Sequence, residues 1–211
     1  MCLAAAFSAN AQFVQNGSYT NTGGSEHSVG ERGFNKIVSI DSYATWKYSI
    51  QTTHGLESGS DKGLLTGIIY TRSQCLANVP LYLEFGGGFL YTSFKDAMYT
   101  EGFDLKFYSL YVPINMSYRF NCGGDTYVSL FAGPYMKYNF AGTLAGMDII
   151  ELGGAKKTQF GVQAGFDVSL DGFYLSTSYF GDFTDLIDGS STGYSVKNRV
   201  SGVLLGIGIV F

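Results

Sequence analysis

Charge is scarce in this chain. Its 211 residues include only 13 Lys or Arg and 17 Asp or Glu, a charged fraction of 14% against roughly 25% in an ordinary soluble domain. The net charge of -4 leaves no basic excess, which argues against a nucleic-acid partner, since binding there is driven by Lys and Arg neutralising phosphates. Two histidines and three cysteines give no ligand spacing suited to a metal, and no cofactor motif is present. Long hydrophobic runs are missing as well. No stretch approaches the roughly 20 continuous apolar residues that a membrane-spanning helix needs, so a helical membrane protein is excluded.

What is abundant is aromatic and apolar surface: 45% hydrophobic residues, 16% aromatics, with 29 Gly, 16 Tyr and 17 Phe. Length predicts one domain. The first eleven residues, MCLAAAFSANA, read as the remnant of a secretory signal peptide without its basic start, ending in the A-x-A site Ala9-Asn10-Ala11. Residues 12–33 read as a polar tail. An exported chain, rich in apolar residues but with no spanning helix, has one other way to cross a membrane: a closed β-barrel, in which every backbone N–H and C=O is paired between strands. Its signature is alternation with a period of two in segments of roughly ten residues.

That alternation recurs along residues 34–211. Phe160, Val162, Ala164, Phe166, Val168 and Leu170 share one face, opposite Gln159, Gly161, Gln163, Gly165, Asp167 and Ser169. Residues 108–120 and 128–140 alternate in the same way, and 81–94 and 203–211 set aliphatic and aromatic positions against Glu84 and a series of glycines. In 34–51 the apolar row is Val38, Ile40, Ala44, Trp46, Tyr48 and Ile50, opposite Ser39, Asp41, Thr45, Lys47 and Ser49. Residues 63–72 are apolar on both faces, and 172–183 mix aromatics with Ser176 and Ser178. Eight strands follow: 34–51, 62–72, 80–94, 103–120, 125–140, 157–170, 172–183 and 197–211. Their connections alternate between short turns (73–79, 121–124, 171–172) and longer polar loops (52–61, 95–102, 141–156, 184–196). The expected fold is all-β, an eight-stranded antiparallel up-and-down transmembrane β-barrel, with short turns and both termini periplasmic and long loops extracellular.

Four segments, FYSLYVPINMSYRF (107–120), FAGPYMKYNF (131–140), KKTQFGVQAGFDVSL (156–170) and KNRVSGVLLGIGIVF (197–211), resemble in order and spacing those of the PorT-like outer-membrane β-barrel domain family. The resemblance spans roughly residues 34–211. It implies a small barrel in the outer membrane of a Gram-negative cell and implies no particular activity. Phe211 resembles the C-terminal aromatic signal by which such chains engage the barrel assembly machinery.

On the parity above, Lys47, Glu84, Arg119, Lys137 and Asp167 point into the barrel, with Asp41 and Asp182 as further candidates. They are read either as a polar pore or as mutually satisfied charges filling a lumen that eight strands leave little wider than side chains. Glycines such as Gly86, Gly88, Gly165, Gly206 and Gly208 make room for large neighbours. His54, near Ser58, Ser60 and Asp61, is the one histidine placed where a surface catalytic group could form; an ordinary loop residue is the plainer reading, and no enzyme is expected. Cys75 and Cys122 fall in short turns and could pair or stay as thiols. Tyr99, Met147, Ile149, Ile150, Leu186 and Ile187 in the long loops form either a contact surface or packing over the barrel mouth. The expected function is non-catalytic: structural, adhesive or partner-binding through extracellular loops, with outer-membrane lipid around it and an extracellular protein or glycan as partner. The alternative is a narrow porin-like channel for small solutes. A soluble lipocalin-like carrier would need the reverse polarity, apolar inside and polar outside.

Overall fold

The computed structural model describes residues 33–52, 55–76, 80–97, 100, 102–123, 126–187 and 195–211. The expected leader and tail, His54 and Tyr99 lie outside them. Among the described residues the strands are β1 (Gly33–Thr52), β2 (Gly55–Cys75), β3 (Leu81–Phe94), β4 (Leu105–Gly123), β5 (Thr126–Leu144), the two-residue β6 (Met147–Asp148), β7 (Thr158–Leu170), β8 (Phe173–Asp182) and β9 (Ser195–Val210). Every pairing is antiparallel, each long strand lies beside its neighbours in sequence, and β1 pairs β9 to close the sheet. The fold is a closed eight-stranded up-and-down barrel, with β6 a short flap on β5. Over the height shared by all eight strands, closure leaves the ladder without an edge, so backbone donors and acceptors are paired within the wall.

At one end, the turn end, hairpins are tight. Asp171 and Gly172 both have positive φ (46° and 84°) between the paired Leu170 and Phe173, the two-residue geometry that Asp-Gly favours because it matches strand twist. The first and last strands meet at this end, where Asn35 and Phe211 exchange backbone hydrogen bonds of 2.9 and 3.0 Å. The opposite, loop end carries the longer connections. One of them differs from expectation. Residues 52–61 are mostly ladder rather than loop: β1 and β2 stay paired out to Thr52 and Gly55. Pairing of β2 with β3 starts only at Gly63, whereas β9 follows β1 to Gln51. Strands β2, β1 and β9 therefore rise past the rest of the wall as a three-stranded wing.

Alternation sorts side chains as lipid-like outside and mixed inside. Phe160, Val162, Phe166 and Leu170 of β7 are exposed, as are Tyr108, Leu110, Ile114, Met116, Tyr118 and Phe120 of β4 and Leu205, Ile207 and Ile209 of β9. Strand β1 is the exception and corrects the expected facing. Its apolar row, Val38, Ile40, Ala44 and Trp46, is buried inside against Leu65, Ile69, Leu90 and Phe94, and Ser39, Asp41, Tyr43 and Lys47 are exposed. The reason is steric. A narrow lumen must be filled, and above Lys36 and Glu84 the β1–β3 side fills it with hydrocarbon rather than with charge.

Candidate functional site

Sequence alternation sends one side chain in two into the barrel, and there the interior divides into two polar clusters and an apolar plug. Nearest the turn end, Lys36 of β1 donates to Glu84 of β3 at 2.8 Å and to the Tyr174 hydroxyl at 3.0 Å, and lies 3.8 Å from Asp167 of β7. Tyr174 in turn donates to Asp167 at 2.7 Å. Arg119 of β4 donates to Ser73 at 3.1 Å and sits 3.8 Å from Glu84, its guanidinium stacked between the rings of Phe34 (3.8 Å) and Tyr82 (3.9 Å). Two cations and two carboxylates thus neutralise one another in a space where each is buried. An unpaired charge there would carry its full desolvation cost.

Farther toward the loop end, Asp182 of β8 collects three donors: Lys137 at 2.7 Å, the Tyr135 hydroxyl at 2.6 Å and the Gln159 amide at 3.2 Å. Asn139 extends the network from Gln159 to Ser109. Between the clusters Tyr111 donates to Gln163 at 2.7 Å and Gln163 to Asn115 at 3.0 Å, so hydrogen bonds link β4 to β7 inside the barrel at mid-height. A cavity of about 10 Å³ lies beside this network, between Lys137, Asn139, Gln159, Phe107 and Leu186, about the room of one water. Above it the loops pack inward: Ala97, Ile149, Ile150, Ala155 and Leu186 are buried in the apolar core. Asn198 holds this cover in place, accepting from the Leu186 and Ile187 amides at 2.9 and 2.7 Å. Of the loop hydrophobics read from sequence, only Met147 is exposed among those described; Ile187 is partly buried against the core.

Glu84, Arg119, Lys137 and Asp167 all face the interior, as does Asp182. Lys47 and Asp41 do not: both are exposed on the outer face of β1, because the strand presents its even positions to the lumen. The same inversion brings in Lys36, which the sequence reading missed. Its signal was visible, since Lys36 and Ser42 share the apolar parity of Val38 and Ile40, an expensive place for them if that row met hydrocarbon. Cys122 is an exposed thiol and Cys75 is not bonded to it. Among the described residues no group of His, Cys, Asp and Glu is arranged to hold a metal ion.

No family model matches the chain, and no curated protein matches it. Solved structures with a similar course include the attachment invasion locus protein Ail of Yersinia pestis bound to the heparin analogue sucrose octasulfate (14% identity, 84% of this chain and 99% of that one, TM-score 0.43). Neisserial surface protein A gives 16% identity over 83% and 97%, TM-score 0.44. The N-terminal β-barrel domain of Pseudomonas aeruginosa OprF gives 12% over 85% and 100%, TM-score 0.35.

Proposed function

We propose that this barrel spans the outer membrane of a Gram-negative cell, with its turn end and both chain ends periplasmic, and serves there without catalysis as a structural or partner-binding element. The observation that carries the reading is the pairing of an apolar exterior with a sealed interior. From Phe160 to Leu170 the exposed row spans ten residue-to-residue steps of strand; at ~3.3 Å each and a tilt of roughly 40° this is about 25 Å of height, the hydrophobic band of an outer-membrane barrel. Aromatic rings gather toward both rims of that band: Tyr91 and Tyr108 (centroids 5.0 Å apart) with Phe140 on the loop side, and Tyr118 with Phe120 (4.9 Å) on the turn side. A soluble protein rarely leaves so large a contiguous apolar surface in water. The resemblance of residues 107–120, 131–140, 156–170 and 197–211 to PorT-like barrels supports the same placement. Phe211, at the seam, is the residue that would present the C-terminal strand to the assembly machinery.

At mid-height Tyr111, Gln163 and Asn115, like Leu65 and Leu90 of the facing strands, are buried, so the interior there is filled with side chains, which weighs against a solute channel. Exchange with the outside then falls to the loop-end surface, where an extracellular protein or glycan is the partner we infer. The test is refolding into planar phosphatidylcholine bilayers. Insertion without discrete conductance steps is expected, and reproducible unitary steps would overturn the sealed, non-conducting reading. Cys122, exposed at the turn end, reports orientation: an impermeant thiol reagent should reach it in intact cells only after the outer membrane is opened.

A further inference from the structure

Above the apolar band the outer face of the wing changes character within one row of the ladder. Tyr43, Leu64 and Val203 lie side by side across β1, β2 and β9 and are exposed and apolar. The next outward row is Thr45, Lys62 and Ser201, the next Ser60, Lys47 and Arg199, and the one after that places Lys197 beside Ser49. Four of the chain's 13 basic residues therefore occupy one outer patch, all exposed. With strands ~4.8 Å apart and ~3.4 Å of rise per residue, the patch measures roughly 10 by 13 Å.

Lys47 and Arg199 stand directly opposite each other, a like-charge pairing that disfavours the sheet unless an anion lies between them. Among the described residues none of the four forms an ion pair. Of the carboxylates nearest along these strands, Asp61 is buried on the inner side and Glu57 shares its parity, whereas Asp41 shares the outer face but sits four residues below Thr45, within the apolar band. Position and charge coincide. Cations immediately above a hydrocarbon-facing row lie at the depth of lipid headgroups, where each Lys or Arg near an anionic surface strengthens the attraction roughly fivefold.

We propose that this patch, Lys47, Lys62, Lys197 and Arg199, is a binding site for the phosphate-bearing headgroup of a membrane lipid whose acyl chains lie along Tyr43, Leu64 and Val203. The inference rests on the membrane-spanning reading above and adds a lipid class and a place on the barrel wall.

The full chain, refolded in micelles containing equal phosphatidic acid and phosphatidylcholine, is released into native mass spectrometry and its retained lipids are counted. Wild type should retain phosphatidic acid in preference by roughly tenfold or more, as two or more engaged cations imply, and the preference should fall as salt rises. K47Q/K62Q/K197Q/R199Q should lose it. Neutralising Lys95 and Lys157, elsewhere at the loop end, should leave it unchanged. Lys47→Gln alone removes the facing like charges, so it folds at least as readily as wild type and should lower the preference by itself. Equal retention by wild type and the quadruple variant would overturn the site, and so would complete displacement of the lipid by millimolar inorganic phosphate, which would mark a free-anion site instead. Insertion into phosphatidylcholine vesicles, scored by protease protection, is measured beside it. Failure there sinks the spanning reading, whereas insertion without lipid preference sinks only the patch.

Discussion

Glu84 is the shared anion of the inner quartet, 2.8 Å from Lys36 and 3.8 Å from Arg119, with all three groups at most 3% exposed. Changing it to Gln keeps the volume and leaves two buried cations facing Asp167 alone. Removing one member of a buried pair costs about 3–5 kcal/mol, because the partner keeps its desolvation cost without its compensation. Lys36 retains Asp167 at 3.8 Å and the Tyr174 hydroxyl at 3.0 Å, so Glu84→Gln should fall near the lower end, about 3 kcal/mol. If charge balance is the cause, K36M/E84Q should restore much of the loss, since Arg119 and Asp167 then remain as one cation and one anion. A recovery of at least ~2 kcal/mol is the expected coupling, within the range for residues sharing a network. The assay is urea-dependent unfolding from phosphatidylcholine vesicles, followed by fluorescence of the single Trp46, which is 1% exposed, and by the mobility of unheated samples on gels. Were E84Q within ~1 kcal/mol of wild type, or the double variant's loss simply the sum of its two single losses, the quartet would not be held by mutual neutralisation.

Phe166→Lys places a charge in the middle of the exposed apolar row and should cost ~2–4 kcal/mol in the same unfolding assay, whereas Lys47→Leu, beyond the band, should change stability by less than ~1 kcal/mol. Gly161→Val should strongly reduce the folded fraction on gels, because a Cβ there would run into the Tyr135 hydroxyl and the Gly181 carbonyl; a neighbour that cannot yield turns an added methyl into strain. At the loop end, Asp104 accepts from Lys106 and from the Asp96 amide, and both contacts, the lysine first, hold its carboxyl below the usual range. The stabilisation is present above the unfolded pKa and is lost as pH falls through the lowered folded one. The protection of the Asp96 amide, the factor by which its exchange is slowed relative to the intrinsic rate at each pH, should therefore fall on acidification below about pH 4, and Asp104→Asn should abolish that change in protection.

Much of the wall was legible because hydrocarbon and ladder geometry impose the same period. On β4, β5, β7 and β9 the apolar parity is the outer parity, and Glu84, Arg119, Lys137 and Asp167 could be placed inside by counting in twos. The failure at β1 has a physical source. Alternation reveals two faces but does not label them, and the label "apolar means outside" holds only where the lumen is polar. Here the lumen changes filling from charge near Lys36 to Trp46, Leu65 and Phe94 near the loops, so one strand carries both kinds of interior residue on one face. Strand β2, apolar on both faces, was the warning. Its Leu65 and Ile69 face in while Leu64 and Ile68 face out. The wing escaped notice because Ser, Gly and Thr in 52–61 compose equally well as loop or as solvated ladder, and only the partner's register decides between them.

The seam between β1 and β9 ties together residues nearly 180 positions apart, from Asn35 to Phe211. Until β9 is made, β1 has only β2 beside it, and a half-made cylinder would expose two raw margins to any other nascent chain. Such long-range pairing closes slowly. On the membrane-spanning reading proposed above, the chain would reach its membrane unclosed, and damage anywhere along the β9 ladder would be felt first at this seam.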